Sequence, residues 1–203
     1  MKRVYATGET NSIRSLKNNY YLMKVFLFLA EGFEEIEAVA PIDIFRRAGI
    51  EVTTVSISSN RAVSGAHGIT VLADSVFNET DFSNDFLLFL PGGLPGTTHL
   101  DQHEALKNLI SIQAEKGKEI AAICAAPSIL GKMGLLRGKE AICFPGFESQ
   151  LIGANLSTST IVKSGTIYTA KAAGVAIKFA LRLVAELKGE EKAREISKAI
   201  FLE

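Results

Sequence analysis

From residue 23 onward, short unbroken apolar runs alternate with longer segments whose apolar residues recur at helical spacing. Val25 to Ala30 is apolar throughout, as a strand buried on both faces requires. Ile50 to Ile57 alternates like a half-buried strand, Phe86 to Leu90 and Ile120 to Cys124 are again continuous, and Ile167 to Ala170 reads as the last strand. Between them, Glu34 to Ala48 sets Ile36, Val39, Ala40, Ile44 and Phe45 on one side of a helix, with Gly49 just past its end. On this spacing Ile36 and Val39 mark the buried side, and Glu34 and Glu35 are expected in solvent. Arg61 to Ala73, with β-branched residues around Gly65 and Gly68, predicts a hairpin or bulged excursion. Ala172 to Leu187 and Glu190 to Leu202 predict two closing helices, separated by Gly189. Alternation of this kind predicts βαβ units winding a mostly parallel sheet covered on both faces, the α/β class.

Residues 1–22 do not share the pattern. Lys2, Arg3, Arg14 and Lys17 face a single acid, Glu9, among Ser, Thr and Asn, with isolated apolar side chains that cannot bury much. This segment is read as an N-terminal extension, either a start placed upstream of Met23 or a basic targeting peptide that is processed away. Residues 23–203 are expected to form one domain, without internal repeat or linker.

Charge and cysteine content narrow the function classes. Lys and Arg number 22 and Asp and Glu also 22, so no overall basic field draws a nucleic acid. No apolar run approaches the roughly 20 residues that span a bilayer. Cys124 and Cys143, with neither CxxC spacing nor the density of a disulfide scaffold, suit a reducing cytoplasm.

Active sites in open parallel sheets gather outside the carboxyl ends of the strands, and the chemistry-bearing residues lie at such ends. Ile120-Ala-Ala-Ile-Cys124-Ala-Ala-Pro127 delivers a thiol into a tight turn flanked by small residues, with Pro127 suited to the first turn of a helix, in the manner of a nucleophile elbow. A helix start behind the sulfur is expected to lower its pKa; the alternative is a buried, inert cysteine. Leu90-Pro-Gly-Gly93 offers Gly92 and Gly93, whose backbone can approach a ligand and present N–H groups to an oxyanion, or form a plain turn. Glu37 lies beside the apolar boundary of the first helix, where a partly desolvated carboxyl tends toward the protonated form and can pass a proton.

Other patterns carry less. His99 and His103 have the spacing of a metal pair but lack the HExxH glutamate and a third ligand, so no metal site is assigned. Gly134-Leu-Leu-Arg-Gly-Lys139 is one residue short of a phosphate loop and has Glu140 in the Ser/Thr place; no GxGxxG occurs, and no cofactor is expected. Cys143 is read as core.

Taken together, Leu29-Ala-Glu-Gly-Phe-Glu-Glu-Ile-Glu37, Pro41-Ile-Asp-Ile-Phe-Arg-Arg-Ala-Gly49, Leu90-Pro-Gly-Gly93 and Ala121-Ala-Ile-Cys-Ala-Ala-Pro127 resemble the ThiJ/PfpI superfamily. Within it they look most like the YajL-like branch that includes the parkinsonism-associated protein deglycase. The resemblance implies a flavodoxin-like three-layer sandwich, a homodimer, Cys124 as nucleophile and oxidation-sensitive thiol, and Glu37 as the acid bonded to it. It also implies glutathione-independent glyoxalase or deglycase activity on methylglyoxal, related 2-oxoaldehydes and their adducts. The sequence departs from the superfamily in several places. Ala125 stands where PfpI-type peptidases carry histidine, and Phe144 where some deglycases do. Lys171-Ala-Ala-Gly174 replaces an arginine and Gly-Pro-Gly pattern, and His67 stands near where some relatives have arginine.

The expected chemistry is attack of Cys124 on a small aldehyde, with main-chain N–H groups near Gly93 and Ala125 holding the oxyanion and Glu37 moving protons. The rival expectation is an oxidative-stress sensor or chaperone whose cysteine is oxidised to sulfinic acid without turnover. A role in thiamine thiazole monophosphate metabolism is inherited only from the superfamily's naming. The hairpin at 62–73 and the first helix are the expected dimer surfaces.

Overall fold

The computed structural model describes residues 24–202, so the expectations for residues 1–22 lie outside the described residues. The chain opens with β1 (Lys24–Leu29), α1 (Glu35–Arg47) and β2 (Val52–Ser56), followed by the short strands β3 (Ala62–Ser64), β4 (Thr70–Leu72) and β5 (Ser75–Val76). Next come β6 (Phe86–Leu90), α2 (Gly96–Gln102), α3 (Glu104–Glu115), β7 (Ile120–Ile123) and α4 (Pro127–Lys132). The last third holds β8 (Glu140–Ala141), β9 (Asn155–Leu156), β10 (Ile161–Ser164), β11 (Ile167–Ala170), α5 (Ala176–Lys188) and α6 (Glu190–Ala199).

Seven strands form the main sheet in the order β10-β11-β7-β6-β1-β2-β5. Every neighbouring pair is parallel except the edge pair β10 and β11. The five central strands follow the flavodoxin-like order, and the strand order reverses between β1 and β6, the place where such sheets hold ligands at their carboxyl ends. The expected flavodoxin-like α/β sandwich is the observed one.

Strand periodicity builds its two cores. In β1, Val25, Leu27 and Leu29 point to the layer of α1, α5 and α6, while Phe26 and Phe28 point to the layer of α2, α3 and α4. Leu87 and Phe89 in β6, and Ala121 and Ile123 in β7, repeat the first set, with Phe86, Leu88, Ile120 and Ala122 on the other side. Cys143 belongs to the second core, as expected.

Two sequence expectations need correction. Ile36 and Val39 are 55% and 45% exposed, whereas Glu35 is buried, so α1 is rotated relative to the predicted face. The physical reason is a long-range anchor: Glu35 accepts hydrogen bonds from the hairpin formed by β3 and β4, which pulls its carboxylate inward. The expected helix at 172–187 begins as a short 3-10 turn at Ala173–Val175 and becomes α-helical only at Ala176. Ile167 to Ala170 is indeed the final strand, but the sequence pattern did not reveal its antiparallel partner β10 or the helices α2 and α3.

Candidate active site

Loops leaving β1, β6 and β7 meet at the carboxyl edge of the sheet. The Glu34 N–H donates to the Gly92 carbonyl at 3.0 Å and the Gly96 N–H to the Gly32 carbonyl at 3.1 Å, which ties the first two loops together. Cys124 follows β7 with φ of 64°, a left-handed conformation that costs a non-glycine residue on the order of 1–3 kcal/mol. Its surroundings fix it there: the Cys124 N–H donates to the Ala170 carbonyl at 2.9 Å, and its own carbonyl accepts from the Phe144 N–H at 2.7 Å. The half-buried thiol is thus held at a strained elbow, with Pro127 opening α4 behind it.

Glu37 reaches the sulfur from α1. Glu34 caps that helix by accepting the Glu37 N–H at 2.7 Å, which fixes the first turn and aims the Glu37 side chain over the strand ends. The Glu37 carboxyl is fully buried; its Oε2 accepts the Gly92 N–H at 2.9 Å, while Oε1 lacks a hydrogen bond of normal geometry. The carboxyl also interacts with the Cys124 thiol and the Ala173 N–H. Glycine at 92 is a steric requirement, because a Cβ there would stand 2.6 Å from both the Cys124 Cβ and Glu37 Oε2.

Electrostatics make the two groups one unit. Burial, helped by the Glu34 charge, raises Glu37 from 4.5 to about 7 against the hydrogen bonds from Cys124, Gly92 and Ala173. Burial, followed by the Glu37 charge and hydrogen bond, pushes the Cys124 thiol up to about 12. That direction is opposite to the lowering expected from a helix start. The N–H groups of Ala125 and Gly93 favour the thiolate but are outweighed. Near neutral pH the sulfur therefore carries its proton, and the carboxyl exchanges between charged and neutral forms.

The main chain supplies the remaining pieces. The N–H groups of Gly93 and Ala125 face the sulfur. The N–H of Gly92, expected to serve an oxyanion as well, is already given to Glu37. The part played by the Ala173 N–H has no signal in the sequence beyond the departure at Lys171 to Gly174. Nor does the sequence signal the role of Glu35, whose carboxylate accepts from the His67 N–H at 2.7 Å, His67 Nδ1 at 2.8 Å and the Ile69 N–H at 3.4 Å. Burial acts to raise Glu35, but the bonds from His67 outweigh it and hold the carboxyl below its ordinary value, while His67 is raised by the same contact.

Glu34, Glu35 and His67 place potential metal-ligand atoms within 4.8 Å of one another. Glu34 Oε2 accepts a main-chain N–H, and both oxygens of Glu35 accept from His67, through its N–H and its Nδ1. His99 and His103 do not converge: His99 Nδ1 meets the Glu31 carbonyl at 2.9 Å, and His103 Nδ1 caps α3 by accepting the Leu106 N–H at 3.0 Å.

The sequence profile of the DJ-1/PfpI family matches residues 23–186. Protein DJ-1 homolog A of Arabidopsis thaliana is 38% identical over 181 residues, covering 88% of this chain and 46% of that protein. Homolog B of the same plant is covered over 40% of its length, so the chain spans less than half of these two relatives. Drosophila melanogaster DJ-1beta superposes with a TM-score of 0.83 at 34% identity, over 89% of this chain and 98% of that one. The oxidized form of Toxoplasma gondii DJ-1 superposes with a TM-score of 0.81 at 35% identity, over 88% and 98%. The glutathione-independent glyoxalase DJR-1.2 of Caenorhabditis elegans is 28% identical over 180 residues, 88% of this chain and 95% of that protein.

Proposed function

Because the chain belongs to the DJ-1/PfpI family, we propose that it is a cysteine-dependent glyoxalase or deglycase that converts 2-oxoaldehydes such as methylglyoxal, and their adducts, to 2-hydroxy acids. The observation that carries this reading is a strained, half-buried thiol facing two main-chain N–H groups and a buried carboxyl of pKa about 7. The similarity to a worm protein named as a glyoxalase supports it.

The chemistry follows from the protonation states. Ionised Glu37 takes the Cys124 proton as sulfur bonds to the aldehyde carbon, so a thiol of high pKa still serves as nucleophile. The aldehyde oxygen becomes an oxyanion beside the Gly93 and Ala125 N–H groups and takes up a proton, giving a hemithioacetal. Glu37, having passed the thiol's proton to that oxygen, takes the proton from the former aldehyde carbon and gives it to the ketone oxygen, forming an enediol bonded to sulfur. It then takes the proton of the hydroxyl on the sulfur-bearing carbon and delivers it to the former ketone carbon, leaving a carbonyl on the first. The first carbon is oxidised, the second reduced, and the product is a thioester of the 2-hydroxy acid. Water cleaves it, releasing lactate from methylglyoxal and restoring the thiol. No electrons are exchanged with an outside partner, which is why the reading needs no cofactor.

Methylglyoxal consumption is expected to vanish in both Cys124→Ser and Glu37→Gln while far-UV circular dichroism stays unchanged. Full turnover in either variant removes that residue from the mechanism.

A second reading has its own support. The neutral form of Glu37 can donate a hydrogen bond to a sulfinate oxygen, and a similar protein is known in an oxidized form. Stepwise oxygen transfer from peroxide to Cys124, releasing water each time, would add two oxygen atoms to the intact mass. Oxidation at peroxide levels that leave Cys143 untouched, combined with no aldehyde turnover, would favour a sensor.

Exposed Ile36 and Val39 on α1, with Ile69 and Leu72 on the hairpin at 58% and 69% exposure, form the surface we assign to a homodimer contact. No helix among the described residues is long and apolar enough to cross a membrane. Both cysteines are free, which suits the cytoplasm.

A further inference from the structure

Helices α5 and α6, joined through Gly189, border a groove of about 230 Å³. Its floor is apolar, made by Leu181 and Ala185 of α5 and Ala193 of α6. Its walls carry charge. Lys178 and Arg182 stand one turn apart on α5, as Glu190 and Arg194 do on α6, because residues four apart share a helix face. All four side chains are exposed and line the groove.

Three cations therefore meet one acid. Counting Glu186, which Arg182 reaches at 2.7 Å, leaves the excess unchanged, since the same carboxylate takes Lys163 at 2.6 Å. Arg194 Nε donates to the Glu190 main-chain carbonyl at 3.4 Å rather than to a carboxylate. Lys178 has no ion pair or hydrogen bond among the described residues. Lys24, Lys118 and Lys132, by contrast, each meet an acid of their own at 2.7 Å. The chain as a whole balances 22 cations against 22 acids, so the positive excess belongs to this groove and is not a share of a general field.

Guanidinium groups bond two oxygens of one anion through a planar fork, and an ammonium adds a point charge beside them. The volume lies below the about 300–1,000 Å³ of drug-sized pockets, which restricts the occupant to a small one. We propose that this groove binds a small phosphate monoester, its oxygens held by Lys178, Arg182 and Arg194 and its short carbon chain resting on Leu181, Ala185 and Ala193. Such an ester carries a charge of about −1.5 to −2 at pH 7 and answers the excess, whereas a monocarboxylate would leave a cation unmatched. The groove shares no residue with the Cys124 site and is independent of the glyoxalase reading.

The test is a titration of the ¹⁵N-labelled protein with glycerol 3-phosphate at constant ionic strength, followed by amide shifts. Saturable shifts confined to α5 and α6 are expected. Lys178→Ala combined with Arg194→Ala should weaken the Kd about tenfold or more, because two charge-assisted contacts are lost. Glu190→Gln, which removes a like charge from the wall, should tighten it about threefold. All three positions are exposed, so the variants keep the fold, and unchanged far-UV circular dichroism checks this. Inorganic phosphate, with no carbon chain for the apolar floor, should saturate the same amides more weakly. Equal affinity for inorganic phosphate would overturn the proposal in favour of the free anion. Shifts that never saturate, saturation elsewhere on the protein, or a Kd untouched by the double substitution would overturn it outright.

Discussion

Replacing Glu37 by glutamine should stabilise the protein while abolishing its chemistry, and the stabilisation should depend on pH in a defined window. The carboxyl titrates near 7 in the folded chain against 4.5 as an ordinary side chain, a difference of about 2.5 units. At about 1.36 kcal/mol per unit, keeping the ionised group buried costs the native state about 3 kcal/mol at pH 8. Between pH 4.5 and 7 the folded protein retains a proton that the unfolded chain has lost, so stability falls as pH rises through that interval. Below 4.5 both states are protonated and the penalty disappears. Glutamine is neutral at every pH, so the variant should exceed the unsubstituted protein by up to about 3 kcal/mol at pH 8 and by almost nothing at pH 4. For a chain of this size that is a gain of roughly 6–12 °C in Tm at the higher pH. His67 is raised by its contact with Glu35, but it is present in both proteins and its contribution cancels in the difference. Parallel thermal or urea melts across the interval measure the effect. A difference that stays constant from pH 4 to pH 8, or a variant less stable at pH 8, would refute the account of Glu37 as a buried, ionising acid.

Other substitutions probe the rest of the arrangement. Gly92→Ala places a methyl against Cys124 and Glu37, so methylglyoxal turnover should drop by about 100-fold with little change in secondary structure; retained activity would mean the thiol and carboxyl need not be in contact. Glu35→Ala removes the acceptor for the His67 and Ile69 N–H groups, and should cost about 1–3 kcal/mol and speed hydrogen exchange in the hairpin at 62–72, whereas unaltered exchange would deny that Glu35 anchors it. Ile36→Lys, at an exposed apolar position, should shift sedimentation from dimer to monomer; a monomeric unsubstituted protein would dismiss that interface.

How far the sequence revealed this arrangement depended on the range of the interactions involved. Strand alternation in Val25 to Leu29 and Phe86 to Leu90 is local, and it correctly announced a doubly covered sheet. The elbow was also legible, because small residues around Cys124 and the proline at 127 are close neighbours in the chain. The orientation of α1 was not, since it is set by His67, which lies 32 residues from Glu35. The sign of the Cys124 shift failed for the same reason: a helix start is visible from spacing, while burial and a carboxylate 87 positions upstream in the sequence are not. Helix α2, at Gly96–Gln102, escaped notice because glycine and two threonines make a weak helical pattern that packing overrides.

The site is expensive to hold together, and that bears on what the fold beneath it is for. A buried ionising carboxyl of about 3 kcal/mol and a left-handed cysteine of about 1–3 kcal/mol together consume a large part of the 5–15 kcal/mol by which domains of this kind are stable. The compensation is found directly under the loops. Phe89 in β6, just before the Pro91 turn, packs between Phe45 of α1 and Phe179 of α5, with ring centroids at 6.1 and 5.7 Å. All three rings are fully buried and contribute roughly 1.5–3 kcal/mol each on leaving water. The same aromatic contacts that offset the strain also hold α1 against β6, and so fix Glu37 relative to Gly92. Trimming Phe89 to leucine should therefore injure catalysis and stability together, whereas removing the Glu37 charge should separate them. Only if the acid is held in place against its own preference for water can the two substitutions give opposite signs in a melting experiment at pH 8.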